Sequence, residues 1–238
     1  MDISELERSL RKAFWFNKAT LACLCQMIFG LINYRTVDLA QLAAGLEGTA
    51  LLASKQRRIK RLLMRWPVKL DWLGPWLLSW FYNHDEKISL TIDRTNWKIG
   101  QVNINFLVIG AVYRRAAIPL LFILLDKQGN SKTNERIALL ERVLKYIPKE
   151  RIINILADRE FVGNEWFTWL NKNKIPFKIR VKCNFITTNS RGLEVDADAL
   201  FHDLKPGQIK AVHGKRVLLG HGVRPPSSEM QRVFNFIS

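Results

Sequence analysis

The sequence predicts an α/β protein. A mixed sheet with helices on its faces is preceded by an all-α basic domain and followed by a short β-rich stretch. Three observations predict it. Residues 1–86 carry apolar positions at helical spacing together with a cluster of unopposed cations. Residues 87–182 carry strand-like apolar runs and helical patterns in the order β-β-β-α-β-α-β. Residues 183–238 show only short strand-like runs and no long helix.

Taken in order, Leu6, Leu10, Ala13 and Phe14 recur at helical spacing, and Leu21 to Ile32 form a second, more buried helix. Thr36 is placed to cap a helix holding Leu39, Leu42 and Ala43. Gly45 and Gly48 mark a break, and a helix with Ile59, Leu62 and Leu63 follows. This is helix, short turn, basic helix, so 1–86 reads as a helix-turn-helix-like DNA-binding domain. Lys55, Arg57, Arg58, Lys60, Arg61 and Arg65 crowd its last helix with no acid among them. Such a face suits phosphates, and the plainer alternative is a solvated helix face. Trp66, Trp72, Trp76 and Trp80 follow, and are expected to pack one domain on the next.

In the middle part, ISLTID (88–93) reads as a short strand. NFLVIGAVYR (105–114) and AIPLLFILL (117–125) are longer strands joined by a tight turn around Arg115 and Ala116. A helix from about Lys132 sets Ile137, Leu140, Val143, Leu144 and Ile147 on one face and stops at Pro148. IINILAD (152–158) is another strand. Asn164 is placed to cap a short helix with Phe167 and Leu170, and FKIRVK (177–182) is the last long strand. A right-handed crossover would set 152–158 parallel to and beside 88–93. Beyond 182, short strands are expected at 193–195, 208–213 and 216–220.

The charge narrows the partner. Thirty-seven Lys and Arg against 21 Asp and Glu leave a formal net charge of +16 in 238 residues. A chain that basic repels itself unless a polyanion neutralises it, which points to nucleic acid or an anionic membrane surface. An ordinary metabolic role on acidic substrates becomes a poor fit. The longest apolar run, Ile104 to Leu125, is broken by Arg114 and Arg115, so no membrane span is expected. The start lacks a signal-peptide pattern. Three cysteines make no disulfide framework, and Cys23 and Cys25 do not have metal or redox spacing, so all three are expected reduced in a cytoplasmic protein.

The chemistry gathers on two aspartates. Asp93 is expected to end the first strand and Asp158 the fourth. On parallel neighbours those ends lie about 5 Å apart. Two carboxylates that close repel unless a cation lies between them. Mg²⁺ fits, as a hard ion that keeps waters and takes one or two carboxylates. A pair of such ions about 4 Å apart would serve phosphodiester transfer. The plainer reading is two unrelated turn aspartates. Each is followed by a cation, Arg94 or Arg159, in IDRTNW and ADREFVG.

Those words, with NFLVIGAVYRRAAIPLLFILLD and above all ILADREFVGNEWF, resemble a bacterial DDE transposase of the insertion-sequence-4 type. The resemblance covers roughly residues 30 to 220 and is strongest over 88–182. It implies an RNase H-like catalytic core over 87–182, with Asp93 and Asp158 as the first two catalytic acids and metal ligands. It implies Mg²⁺ or Mn²⁺ as cofactor, and cutting and joining of element ends in DNA transposition. Double-stranded DNA, both terminal inverted repeats and target, becomes the partner, bound by a homo-oligomer in the nucleoid of a bacterial cytoplasm. The helical start resembles the part that binds terminal repeats. Residues 183–238 look like an incomplete β-rich insertion with an aberrant tail.

One departure stands out. The family's third acid is a Glu in a Tyr-x₂-Arg-x₃-Glu-x₆-Lys helix after the insertion, and no Tyr follows Tyr146 here. Glu194 and Glu229 are the nearest substitutes and lack the matching neighbours. The expectation is a chain that stops or shifts frame near Gly220 to Val223, inactive alone. The alternative is a non-catalytic DNA-binding protein that occupies element ends and inhibits intact transposase.

Other residues leave their alternatives open. His202, His213 and His221 lie near Asp196, Asp198 and Asp203 without zinc spacing. Trp97 and Trp166 suit either base stacking or core packing. Lys178, Arg180 and Lys182 alternate, so they share one strand face toward DNA or water. Beside DNA phosphate, Arg159 has Glu160 and Asp93 as candidate partners.

Overall fold

The computed structural model describes residues 3–66, 70–99, 101–181, 185–188 and 191–204. The chain divides into two units, residues 1–69 and 70–238.

The first unit is helical: α1 (Ile3–Ala13), α2 (Lys18–Tyr34), α3 (Leu39–Ala44) and α4 (Leu52–Met64). Helix α2 packs on each of the other three. The apolar spacing does the work, since Leu6, Leu10, Leu21, Leu24, Leu42 and Ile59 are all buried. Leu63, expected beside Ile59 and Leu62, stays exposed, so the buried stripe of α4 is narrower than its sequence suggests. Asp38, not Thr36, caps α3: its Oδ1 accepts from the Ala40 and Gln41 N–H groups at 2.8 and 2.9 Å. The Thr36 hydroxyl instead accepts the Asp38 N–H at 3.1 Å. Cys23 and Cys25 are free and buried, and that burial pushes both thiols up from their ordinary pKa. Cys183 lies outside the described residues.

The second unit begins at α5 (Leu70–Phe81), before the boundary at 86 that the sequence suggests. Packing explains the difference. Helix α5 lies on β3 (Ala116–Leu124), and its Leu78 joins the core of the sheet. The approach is close: a Cβ on Gly74 would sit 2.9 Å from the Leu120 carbonyl oxygen. Tyr82, just past the helix, donates its hydroxyl to the Val112 carbonyl. The tryptophans divide accordingly. Trp66 meets Phe16 in the first unit, at 6.3 Å between ring centroids, and Trp76 meets Trp80 at 5.6 Å on α5.

Five strands form one mixed sheet in the order β3-β2-β1-β4-β5. Strands β1 (Ile88–Ile99), β2 (Val102–Tyr113) and β3 meander antiparallel. Helix α6 (Thr133–Leu144) then carries the chain across to β4 (Ile152–Ala157), which pairs parallel with β1 as the crossover argument required. Helix α7 (Asn164–Lys172) leads to β5 (Phe177–Ile179), parallel to β4. Asn164 is the first residue of α7 rather than its cap; Gly163 takes that position. Strand β5 is shorter than 177–182, and Lys182 lies outside the described residues. The β2–β3 hairpin turns at Arg114 and Arg115, one residue earlier than expected. Both adopt positive φ, 46° and 70°, which a two-residue turn matched to strand twist requires.

Alternation divides the sheet into two faces. Ile88, Leu90 and Ile92 of β1 join Leu107, Ile109, Leu139, Leu140, Val143 and Trp166 in one buried cluster. Trp166 is therefore a core residue. The other face is only partly buried and carries an aromatic row, Trp97–Phe106–Phe122, with centroids 5.7 and 5.4 Å apart. Later in the chain, β6 (Ile186–Thr188) and β7 (Glu194–Asp196) pair antiparallel. The strands expected at 208–213 and 216–220 lie outside the described residues.

Trp166→Ala should lower the unfolding free energy by about 3–5 kcal/mol, the usual range for emptying a buried aromatic site. Urea denaturation followed by far-ultraviolet circular dichroism measures it. Trp166→Phe should cost less, because the indole N–H it deletes has no partner among the described residues.

Candidate active site

The register of two parallel strands builds the site. Leu90 pairs with Ile155, Thr91 with Leu156 and Ile92 with Ala157. One step further along the same two strands come Asp93 and Asp158. Strand β4 stops there, as its sequence suggests. Strand β1 does not: Asp93 pairs onward with Val108 of β2, and the hairpin runs to the pair Ile99–Val102. Arg94 to Ile99 lie past the end of the parallel partner and are mostly polar, so no apolar run announces that strand.

Both aspartates line one cleft of about 640 Å³, together with Thr91, Leu156, Lys178 and Arg180. Asp93 Oδ1 accepts the Arg94 N–H at 2.8 Å, and Asp158 Oδ1 accepts the Arg159 N–H at 2.6 Å. These local bonds set each carboxylate at the end of the β1–β4 pairing. Each Oδ2 has no hydrogen-bond partner among the described residues. Neighbouring strands are about 4.8 Å apart. Two charges at that distance repel by roughly 3–4 kcal/mol at an effective dielectric of about 20, and by less in open solvent. Burying Ile88, Leu90 and Ile92 beneath them contributes roughly 1.5–3 kcal/mol each, so the fold can hold a repelling pair in place.

Lys178 and Arg180 supply the positive wall. Leu156 pairs with Lys178 and Ala157 with Ile179, so Arg180 stands level with Asp158. The Arg180 N–H donates to the Ala157 carbonyl at 3.0 Å, and its Nη1 lies 4.0 Å from Asp158 Oδ1. The alternation of cations over 178–182 carried this signal, and the register shows what they face.

Arg94 and Arg159 part company. Arg94 was expected among the DNA contacts, but alternation turns the residue after Asp93 to the opposite face. Its side chain is 11% exposed. Its Nε lies 3.0 and 3.2 Å from the two Glu160 carboxylate oxygens and its Nη2 2.9 Å from one of them. Its Nη1 donates to Asn96 Oδ1 at 2.7 Å. Arg94 thus ties β1 to the one-turn helix Arg159–Phe161 that follows Asp158. Arg136 holds the same turn through the Glu160 carbonyl at 3.1 Å, while stacking over Phe161 at 4.8 Å. Burial draws the Arg136 pKa down. Its signal in the sequence was a cation in phase with Leu139, Leu140 and Val143 on the apolar face of α6. Arg159 itself is exposed.

The cations of α4 also divide. Lys55, expected on phosphate, donates its ammonium to the Leu46 carbonyl at 2.5 Å and closes the α3–α4 turn. Arg57 and Lys60 are exposed. Arg58, Arg61 and Arg65 line a cleft in the helical unit. His202 Nδ1 lies 2.8 Å from the Ala199 carbonyl oxygen. Glu194 opens β7, and Glu229, His213 and His221 lie outside the described residues. Among the described residues no group of three or more His, Cys, Asp and Glu could hold a metal ion. No described helix is long and apolar enough to cross a membrane.

A divalent ion fits the Asp93–Asp158 pair by donor chemistry, since two free carboxylate oxygens with water completing the shell suit a hard cation. No family model matches the chain, and no curated protein does. Solved structures similar to part of it include the HTLV-2 integrase catalytic core domain in complex with magnesium. Its trimeric form is 13% identical over 40% of this chain and 60% of that one, with a TM-score of 0.31. The dimeric form is 14% identical over 41% and 62%, also at 0.31. The simian T-cell lymphotropic virus intasome in complex with PP2A regulatory subunit B56 gamma is 12% identical over 43% and 34%, at 0.32. The chain spans about three fifths of the integrase core chains. The mixed sheet flanked by helices rests on this chain's own strand order and register.

Glu160→Ala should destabilise the fold by about 3 kcal/mol, because it strands the largely buried Arg94 charge. Arg159→Ala should change stability by no more than about 0.5 kcal/mol, as an exposed substitution. Paired urea titrations of the two variants test the contrast.

Proposed function

We propose that this chain is a metal-dependent DNA transposase of the DDE type, with an RNase H-like core that cuts and joins DNA ends. The observation that carries the reading is the parallel register, which brings Asp93 and Asp158 to one cleft beside Lys178 and Arg180. The resemblance of LTIDRTNWKIG and ILADREFVGNEWF to the insertion-sequence-4 type supplies the particular class.

The residues divide the labour. The free carboxylate oxygens of Asp93 and Asp158 would hold Mg²⁺ or Mn²⁺, which would supply Lewis acidity to the phosphodiester. Lys178 and Arg180 draw the DNA backbone into the cleft and neutralise its phosphates. The Arg94–Glu160 pair keeps the turn after Asp158 in register with β1. Arg57, Lys60 and Arg159, exposed and basic, add salt-dependent grip on double-stranded DNA.

A second reading is a protein that binds element ends without cutting them and competes with a complete transposase, favoured by the exposed cations Arg57 and Lys60 of the helical unit.

Thermal unfolding in millimolar Mn²⁺ should show a rise in Tm for the wild-type chain, absent in Asp93→Asn and Asp158→Asn. Cleavage of terminal-repeat DNA in Mg²⁺ or Mn²⁺ should fall at least about a thousandfold in either variant, as expected when a charge-stabilising group leaves a transition state. A metal-independent Tm in the wild type would remove the ion site. Salt-dependent binding of repeat DNA with no cleavage would favour the second reading.

A further inference from the structure

The helical unit holds a cleft of its own, about 570 Å³, and its lining is that of an anion site with an aromatic rim. Arg58, Arg61 and Arg65 stand at i, i+3 and i+7 of α4 and its C-terminal residue, so they share one face. None of the three has an acidic partner among the described residues. Three acids of the unit are engaged elsewhere: Glu7 with Arg11 at 2.6 Å, Asp38 in the cap of α3, and Glu47 with the Gln26 amide at 3.3 Å. Three guanidinium groups with no counter-charge repel one another and favour an anion between them. The first turn of the 17-residue helix α2 lines the same cleft through Thr20 and adds the positive end of its dipole.

Trp15 makes the site more than a phosphate cradle. Its indole lines the cleft and is fully exposed, on a link that is held at both ends. The Phe16 N–H donates to the Phe14 carbonyl at 3.0 Å, and the Phe16 ring sits 5.6 Å from Phe14 and 6.3 Å from Trp66. Asn17 Oδ1 accepts the Thr20 N–H at 2.8 Å and starts α2. The backbone that carries the indole is therefore held on both sides, and the ring itself is open to solvent. The arginines span about 10 Å of helix at about 1.5 Å per residue, long enough to meet more than one phosphate of a nucleic-acid backbone. Bases paired within a duplex are stacked on one another and cannot lie on an indole, whereas an unpaired base can.

We infer that this cleft binds unpaired DNA, with a base stacked on Trp15 and the adjoining phosphates on Arg58, Arg61 and Arg65. The inference rests on the proposed function only in taking DNA as the polyanion. It concerns binding, so it is tested without a divalent ion, where loss of cleavage has no bearing on it.

The experiment uses the full chain in EDTA and fluorescence anisotropy of a labelled twelve-residue oligothymidine and a blunt duplex of equal length. Trp15→Ala should weaken the single strand about tenfold, the loss of one stacked base, and leave duplex affinity within about twofold. An oligomer with abasic sites should bind the wild type as weakly as the intact oligomer binds Trp15→Ala. Arg58→Gln, Arg61→Gln and Arg65→Gln together should lower the slope of log affinity against log salt by about 2, or about 0.7 per phosphate. An unchanged Tm for Trp15→Ala, expected from its exposure, separates lost binding from lost folding. Trp15→Ala without effect on the single strand, or with an equal effect on the duplex, would overturn the inference.

Discussion

The hydrogen-bond ladder between β1 and β4 is the constraint on which the site depends. It pairs Leu90, Thr91 and Ile92 with Ile155, Leu156 and Ala157. The next residue on each strand is an aspartate, so the ladder itself sets the separation of the carboxylates. A slip of one residue in β1 would turn Asp93 into the apolar core and push Ile92 into the cleft. The core resists that slip, because Ile88, Leu90 and Ile92 fill it from one strand alone. Hydrophobic burial thus enforces a geometry that electrostatics by itself would oppose.

The same alternation gives neighbouring residues opposite tasks. Asp93 faces the cleft, and Arg94, one residue on, faces the other way into an ion pair with Glu160. Glu160 lies two residues past Asp158, so the clamp couples the tips of both aspartate-bearing strands. Arg136 reaches the same turn from α6. Two arginines in a strongly basic chain are in this way withdrawn from solvent to keep a turn in place. Net charge alone therefore overstates the cationic surface open to a partner.

The helical unit sorts its cations by the same geometric rule. Lys55 turns back onto the α3–α4 turn, while Arg58, Arg61 and Arg65 gather around a cleft with Trp15 at its edge. A helix places residues three, four and seven apart on one side, and α2 supplies the opposite wall. What looks in the sequence like a uniform basic run becomes several surfaces with different surroundings.

Much of the fold is legible in local pattern alone. Apolar periodicity located most of the helices and strands, and the crossover rule set 152–158 beside 88–93 in parallel. The two aspartates were legible because each closes an apolar run at a boundary of β1–β4 pairing. The sequence did not reveal that β1 runs on to Ile99, because Arg94 to Lys98 are mostly polar, and only pairing with β2 makes them a strand. It did not reveal that α5 belongs with the sheet, since a tryptophan-rich helix is apolar around much of its circumference and only contact with β3 assigns its side. Nor did it separate Arg94 from Asp93, or Lys55 from the arginines of α4. Local pattern records which residues want burial, whereas the partner of a charge is chosen by residues distant in the chain, and only the tertiary fold brings those together.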